Sequence, residues 1–218
     1  MAGKRRAFLF DLNGTMVDDM QYHIDAWYGI LNKLGASISL EETKLQCYGK
    51  NEELLERIFP GRFSDAEMRA MIFDKEATYQ ETFRPHLKLI DGLDEFLDKA
   101  YDANIKMAIG SAAIPFNINY VVDGLKLHKY FGAVVSAYDV AESKPNPDTF
   151  LQCAAKLHIL PADCIVFEDS PKGVEAAARA GMKCVVITTM HTEEEFDSDN
   201  IICFINNYHG GLFDQLVS

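Results

Sequence analysis

Six short apolar runs, rich in β-branched and aromatic residues, recur along the chain: Ala7–Leu12, Ile105–Gly110, Ala133–Ala137, Cys164–Glu168, Cys184–Thr188 and Ile201–Ile205. None alternates cleanly between apolar and polar residues, so a strand made from any of them must be buried on both faces. Amphipathic stretches lie between most of them. Asn146-Pro147-Asp148 predicts a helix start, with a cap residue and Pro at the first helical position, and Pro171–Ala180 predicts a helix stopped by Gly181. Doubly apolar strands that alternate with helices specify an α/β fold, a Rossmann-like parallel sheet core covered by helices on both faces.

Residues 18–86 break this alternation. The stretch is predicted to be helical throughout, with a turn at Phe59-Pro60-Gly61 and an end near Arg84-Pro85. It is read as a helical insert folded over the sheet, which divides the chain into a core of residues 1–17 plus 87–218 and an insert of residues 18–86. A chain of 218 residues, 48% of them hydrophobic, can bury a core of that size. The formal net charge of −12 argues against nonspecific binding to nucleic acid or to an anionic membrane. Lys4-Arg5-Arg6 makes a basic start, but the six residues of Ala7–Leu12 are too few for a signal sequence, and no run of about 18 apolar residues follows. The five cysteines, at 47, 153, 164, 184 and 203, form no CxxC pair and read as reduced thiols rather than a disulfide framework or a zinc site. The expectation is a cytoplasmic monomer.

In an open parallel sheet, ligands sit at the carboxyl ends of the strands. The first run ends at Asp11, the second at Ser111, the third leads to Ser143-Lys144-Pro145, and the fourth ends at Glu168-Asp169. Any one of these is an ordinary polar loop residue. Together they bring a carboxylate, a hydroxyl, an ammonium and an acidic pair to one edge, and that set suits phosphoryl transfer. The carboxylates can hold a hard cation such as Mg²⁺. Ser111 and Lys144 can bind phosphate oxygens, and Asp11 can attack in line to form an acyl phosphate.

Asp11-x-Asn13-Gly14-Thr15, Ser111, Lys144-Pro145 and Glu168-Asp169-Ser170 resemble, in order, the four signature motifs of the haloacid dehalogenase superfamily. The insert resembles that superfamily's small helical cap, and the nearest branch is that of the β-phosphoglucomutase-like phosphatases and mutases. The resemblance implies that Asp11 is the nucleophile and that Ser111 and Lys144 bind the transferring group. It also implies Mg²⁺ held by Asp11, the Asn13 backbone carbonyl and Asp169, with Glu168 close by, and a small phosphorylated metabolite as substrate. His23 and Trp27, four apart on one helix face, together with Gly49, Lys50, Lys75 and Ala112, correspond to cap and substrate positions of that branch. A His–Trp pair on a helix face is equally compatible with simple core packing.

Three departures bear on activity. Tyr48-Gly49-Lys50-Asn51-Glu52 has Glu where the mutases have a phosphate-binding Arg, and a carboxylate cannot replace bidentate recognition. Ala113-Ile114-Pro115 stands where the mutases carry a polar Ser-Lys-Asn cluster. Asn13 occupies the position of the Asp that protonates the leaving group and later activates water. An amide can do neither, and general acid–base catalysis contributes roughly 10²- to 10⁴-fold. Asp19 and His23 are alternative proton carriers. The competing readings are a true β-phosphoglucomutase, a dehalogenase that needs no acid, a phosphonoacetaldehyde hydrolase with a Schiff-base lysine, and a non-catalytic phosphometabolite-binding protein.

Overall fold

The computed structural model describes residues 6–218, so Lys4 and Arg5 of the basic start lie outside the described residues. Six strands, β1 (Ala7–Phe10), β2 (Lys106–Gly110), β3 (Ala133–Val135), β4 (Cys164–Glu168), β5 (Lys183–Ile187) and β6 (Ile201–Ile205), form one sheet in the order β3-β2-β1-β4-β5-β6. Every pairing is parallel. The central strand β1 is wholly buried, as a strand with helices on both sides must be. The order reverses at β1, which pairs with β2 on one side and β4 on the other. That reversal opens a crevice at the carboxyl edge. Phe10 is in register with Phe167, so Asp11 and Glu168 emerge level with each other.

Two compact units divide the chain: Met1–Asp18 with Lys88–Ser218, and Asp19–Leu87. The second holds helices α1 (Met20–Lys33), α2 (Leu40–Gln46), α3 (Asn51–Ile58) and α4 (Asp65–Phe83), closed by a 3-10 turn at Arg84–His86. Contrary to the sequence prediction, the insert is not helical throughout: besides the predicted turn near Pro60, the helices break at residues 34–39 and 47–50. Each of the three breaks carries a glycine in the left-handed region, Gly35 (φ 91°), Gly49 (φ 74°) and Gly61 (φ 62°), a conformation costly for any residue with a Cβ. Ser39 and Ser64 then restart α2 and α4 through capping boxes with Glu42 and Glu67.

The first unit adds α5 (Leu93–Asp102), α6 (Pro115–Gly124), α7 (Asp148–Leu157), α8 (Pro171–Arg179) and α9 (Leu212–Val217). Helix α7 starts at Asp148, not at Pro147 as predicted: the Asn146 side chain accepts from the Asp148 amide at 3.0 Å, which leaves Pro147 in the cap position. One sheet face packs Leu9, Ala108 and Val166 against Phe150, Cys153 and Val174. The other is aromatic, with Phe10 stacked on Phe167 at 4.5 Å and Phe96 packed at 5.5 Å from Phe8. All five cysteines are free, and among the described residues no helix is long and apolar enough to cross a membrane.

Candidate active site

Asp11 leaves β1 with its amide donating to the Phe167 carbonyl at 3.0 Å, which ties the start of its loop to β4. Lys144 reaches in from the segment before α7. Its Nζ lies 2.5 Å from Asp11 Oδ1 and 2.7 Å from Glu168 Oε1. Glu168 is held at both oxygens: Oε2 accepts from the Asp169 amide, the Ser170 amide and the Ser170 hydroxyl, each at 2.9 Å. Ser170 also caps α8, accepting from the Gly173 amide at 3.1 Å. Thr15 Oγ1 approaches Asp169 Oδ1 at 3.5 Å.

The electrostatics are those of an incompletely neutralised anionic site. Three buried carboxylates, Asp11, Glu168 and Asp169, meet one buried ammonium. Burial disfavours the charge on Lys144, but Asp11 and Glu168 outweigh it and hold the amine above the ordinary lysine range. Burial first, then the charges of Glu168 and Asp11, push Asp169 well above the usual carboxylate range, with Lys144 only partly offsetting them. A site that favours protonation this strongly favours any added positive charge. Asp11, Glu168 and Asp169 each offer an oxygen within 4.8 Å of the others. An all-oxygen, carboxylate-rich donor set of this kind fits a hard divalent cation.

The other predicted positions fall as follows. Asn13 is half-buried in the turn after Asp11, where Gly14 (φ 75°) donates its amide to the Val17 carbonyl at 2.8 Å. Ser111 is buried at the end of β2, and its oxygen accepts from the Ala113 amide at 3.1 Å, a role that does not consume its hydroxyl hydrogen. Ala112 lies half-buried in the same turn. Asp11, Lys144, Glu168 and Asp169 are thus in mutual reach, with Asn13 and Ser111 on adjoining strand ends.

In the second unit, His23, Trp27 and Lys75 come together on facing sides of α1 and α4. Lys75 Nζ is 2.7 Å from His23 Nδ1, 3.0 Å from Glu76 Oε2 and 5.5 Å from the centre of the Trp27 ring. An ammonium has no lone pair, so His23 Nδ1 is the acceptor and a neutral ring carries its proton on Nε2. That nitrogen lies 3.5 Å from Asp19 Oδ2, to which the Tyr79 hydroxyl also donates. The His23 ring stacks on Tyr79 at 3.8 Å. Gly49 and Lys50 occupy the break before α3, and Asn51 links that break to the group through Glu76 Oε1 at 2.7 Å.

Three residues at the carboxyl edge escaped the sequence reading. Gly173 lies against Glu168. Thr189 Oγ1 donates to the Gly14 carbonyl at 2.7 Å, and the Tyr208 hydroxyl donates to the Thr15 carbonyl at 2.9 Å. Burial, with Asp169 and Asp11 nearby, pushes the Tyr208 phenol well above its ordinary range, so it remains a donor. The strand-end rule, applied to β5 and β6 as it was to the first four strands, points at the segments that carry Thr189 and Tyr208.

A family model described as haloacid dehalogenase-like hydrolase matches residues 8–187. The β-phosphoglucomutase of Bacillus subtilis (strain 168) is 32% identical over 188 residues, covering 83% of this chain and 82% of that protein. A fructose-1-phosphate phosphatase of Escherichia coli (strain K12) is 28% identical over 177 residues, or 81% and 93% of the two chains. The crystal structure of a HAD hydrolase of family IA, variant 3, from Entamoeba histolytica HM-1:IMSS superposes with a TM-score of 0.82 at 26% identity, covering 93% of each chain.

Proposed function

The chain belongs to the haloacid dehalogenase-like hydrolase family, and from that premise we propose that it is a Mg²⁺-dependent phosphohydrolase acting on a small, sugar-phosphate-like metabolite through an aspartyl phosphate on Asp11. The observation that carries this reading is the buried group of Asp11, Glu168 and Asp169 around Lys144. The substrate class follows from relatives named for glucose- and fructose-phosphate chemistry.

Asp11, Asp169 and the Asn13 carbonyl, with Glu168 beside them, would hold Mg²⁺. When bound, the cation offsets the repulsion between a carboxylate and a phosphate. Lys144 puts a fixed positive charge beside the nucleophile, where the phosphoryl oxygens arrive, and Ser111 can donate its hydroxyl hydrogen to them. An Asp11 oxygen attacks phosphorus, and the bond from phosphorus to the leaving oxygen breaks. That oxygen departs with the electron pair and takes up a proton. Water then attacks phosphorus, the bond to Asp11 breaks, and inorganic phosphate is released. Asn13 can neither supply the first proton nor accept the second, so both steps are slowed. The second unit, with His23, Lys75 and the Gly49-Lys50 turn, is assigned substrate choice.

Hydrolysis is favoured over mutase chemistry by Glu52, which stands where the mutases carry a phosphate-binding Arg: a carboxylate cannot grip a second phosphate. The direct test is phosphate release from a panel of sugar phosphates, with and without chelator. Activity should vanish with EDTA and return with Mg²⁺. Undiminished turnover after thorough chelation would overturn the mechanism.

A further inference from the structure

The loop after β1 is built on the most permissive residue available, Gly14. Its two sides are restrained separately. The Gly14 amide donates to the Val17 carbonyl at 2.8 Å, and the Gly14 carbonyl accepts from Thr189 Oγ1 at 2.7 Å. In a trans peptide the carbonyl points opposite to the N–H that shares its plane. Anchoring the Gly14 amide on Val17 therefore aims the Asn13 carbonyl away from Val17. The next two carbonyls are also tethered from outside the loop, Thr15 by the Tyr208 hydroxyl at 2.9 Å and Met16 by the Ile90 amide at 2.9 Å. The Tyr208 ring is itself fixed, buried between Phe96 at 5.6 Å and Phe167 at 5.9 Å.

We infer that Thr189 and Tyr208 are positioning residues. Their hydroxyls hold the Gly14 and Thr15 carbonyls so that Asp11 and the Asn13 carbonyl stay arranged for a divalent cation. This rests on the Mg²⁺ reading above. Without Thr189, Gly14 loses the restraint on one side and its peptide can rotate. Without the Tyr208 hydroxyl, the following peptide loses its outside tether. Neither residue need touch cation or substrate. Outer partners of this kind commonly change metal affinity by roughly 10- to 100-fold.

The experiment is calorimetric titration of Mg²⁺ into the wild-type protein and into Thr189→Val, Thr189→Ser and Tyr208→Phe, with the melting temperature of each measured in EDTA. Thr189→Val and Tyr208→Phe keep shape and lose only the donor, so each should weaken Mg²⁺ binding by roughly 10- to 100-fold. Thr189→Ser keeps the hydroxyl and should bind like wild type. If wild type binds no Mg²⁺, the metal reading itself fails. If wild type binds and Thr189→Val and Tyr208→Phe bind equally tightly, the positioning role is wrong, whatever their melting temperatures. If Thr189→Ser is as weak as Thr189→Val, packing and not the hydrogen bond is responsible, and the inference falls. Should Tyr208→Phe not fold, the two Thr189 variants decide the question alone.

Discussion

Gly173 and Glu168 cannot both carry side chains in their present positions: a Cβ on Gly173 would lie 1.9 Å from the Glu168 carboxyl carbon. The first turn of α8 is therefore packed directly on the carboxylate that Lys144 and Ser170 hold. Gly173→Ala should push Glu168 off its partners. The expected loss is about 1–3 kcal/mol of stability from overpacking, with phosphatase activity reduced by about tenfold or more. Urea denaturation and kcat/KM on one substrate measure the two effects. An alanine variant as active as wild type would show that Glu168 has room to move without consequence.

Lys144 is the ammonium shared by Asp11 and Glu168, and all three are buried. Removing one partner of a buried ion pair leaves uncompensated charge and costs about 3–5 kcal/mol. Lys144→Met should lose stability on that scale, and saturating Mg²⁺ should restore part of it by supplying positive charge to the same carboxylates. The sign of the pH effect follows from the raised pKa of Lys144. A group held above its unfolded value stabilises fully below the unfolded pKa, about 10.4 for lysine, and that contribution is lost only as pH rises through the higher folded value. The stability gap between wild type and Lys144→Met should therefore contain no Lys144 titration at neutral pH. Denaturation midpoints at several pH values, with and without Mg²⁺, test both points.

What could be read in the sequence was local pattern. Cys164–Glu168 and Ile201–Ile205 form strands with the predicted bounds. Burial on both faces holds for the inner strand Cys164–Glu168, whereas Ile201–Ile205 is an edge strand with Ile202 exposed, because one flank of an edge strand has no neighbour to cover it. The meeting of Asp11 with Lys144, 133 positions apart, was accessible only through the rule that strand ends share an edge. What stayed hidden depends on pairings with no local signature. Nothing in Gly173 itself announces that Glu168 lies against it. The clamp of Thr189 and Tyr208 on Gly14 and Thr15 spans 175 and 193 positions. Gly35 and Gly49 do carry a local signal for the helix breaks, but the amphipathic stretches on either side mask it.

Glu52 and Ala113-Ile114-Pro115 replace the Arg and the polar cluster with which the mutases, by the resemblance, grip a second phosphate. No efficient interconversion of β-glucose 1-phosphate and glucose 6-phosphate is expected, even with a bisphosphate activator. A coupled assay for glucose 6-phosphate is the measurement. Turnover in the usual enzymatic range of about 1–10³ per second would show that the cap holds the second phosphate by other means.

Asn13 tests whether the chemistry is limited by proton transfer. Its turn is ordered, with Gly14 bonded to Val17 and Thr189, and the carboxylates and Lys144 beside it are in place. On the proposed mechanism, what the site lacks at Asn13 is a titratable group, not architecture. Asn13→Asp replaces an amide nitrogen by an oxygen with little change in shape, and the new carboxyl can give a proton to the leaving oxygen and take one from water. The expected gain in kcat/KM is roughly 10²-fold or more, the scale of general acid–base catalysis. It should be larger for an alkyl phosphate than for an aryl phosphate, because a good leaving group needs little protonation. Asp11→Asn in the same background should abolish the gain, since no acyl phosphate can form. Equal rates for Asn13→Asp and wild type on both substrates would mean that another group already carries the proton. Asp19 and His23, linked to each other and to Lys75 in the second unit, would then be the residues to replace.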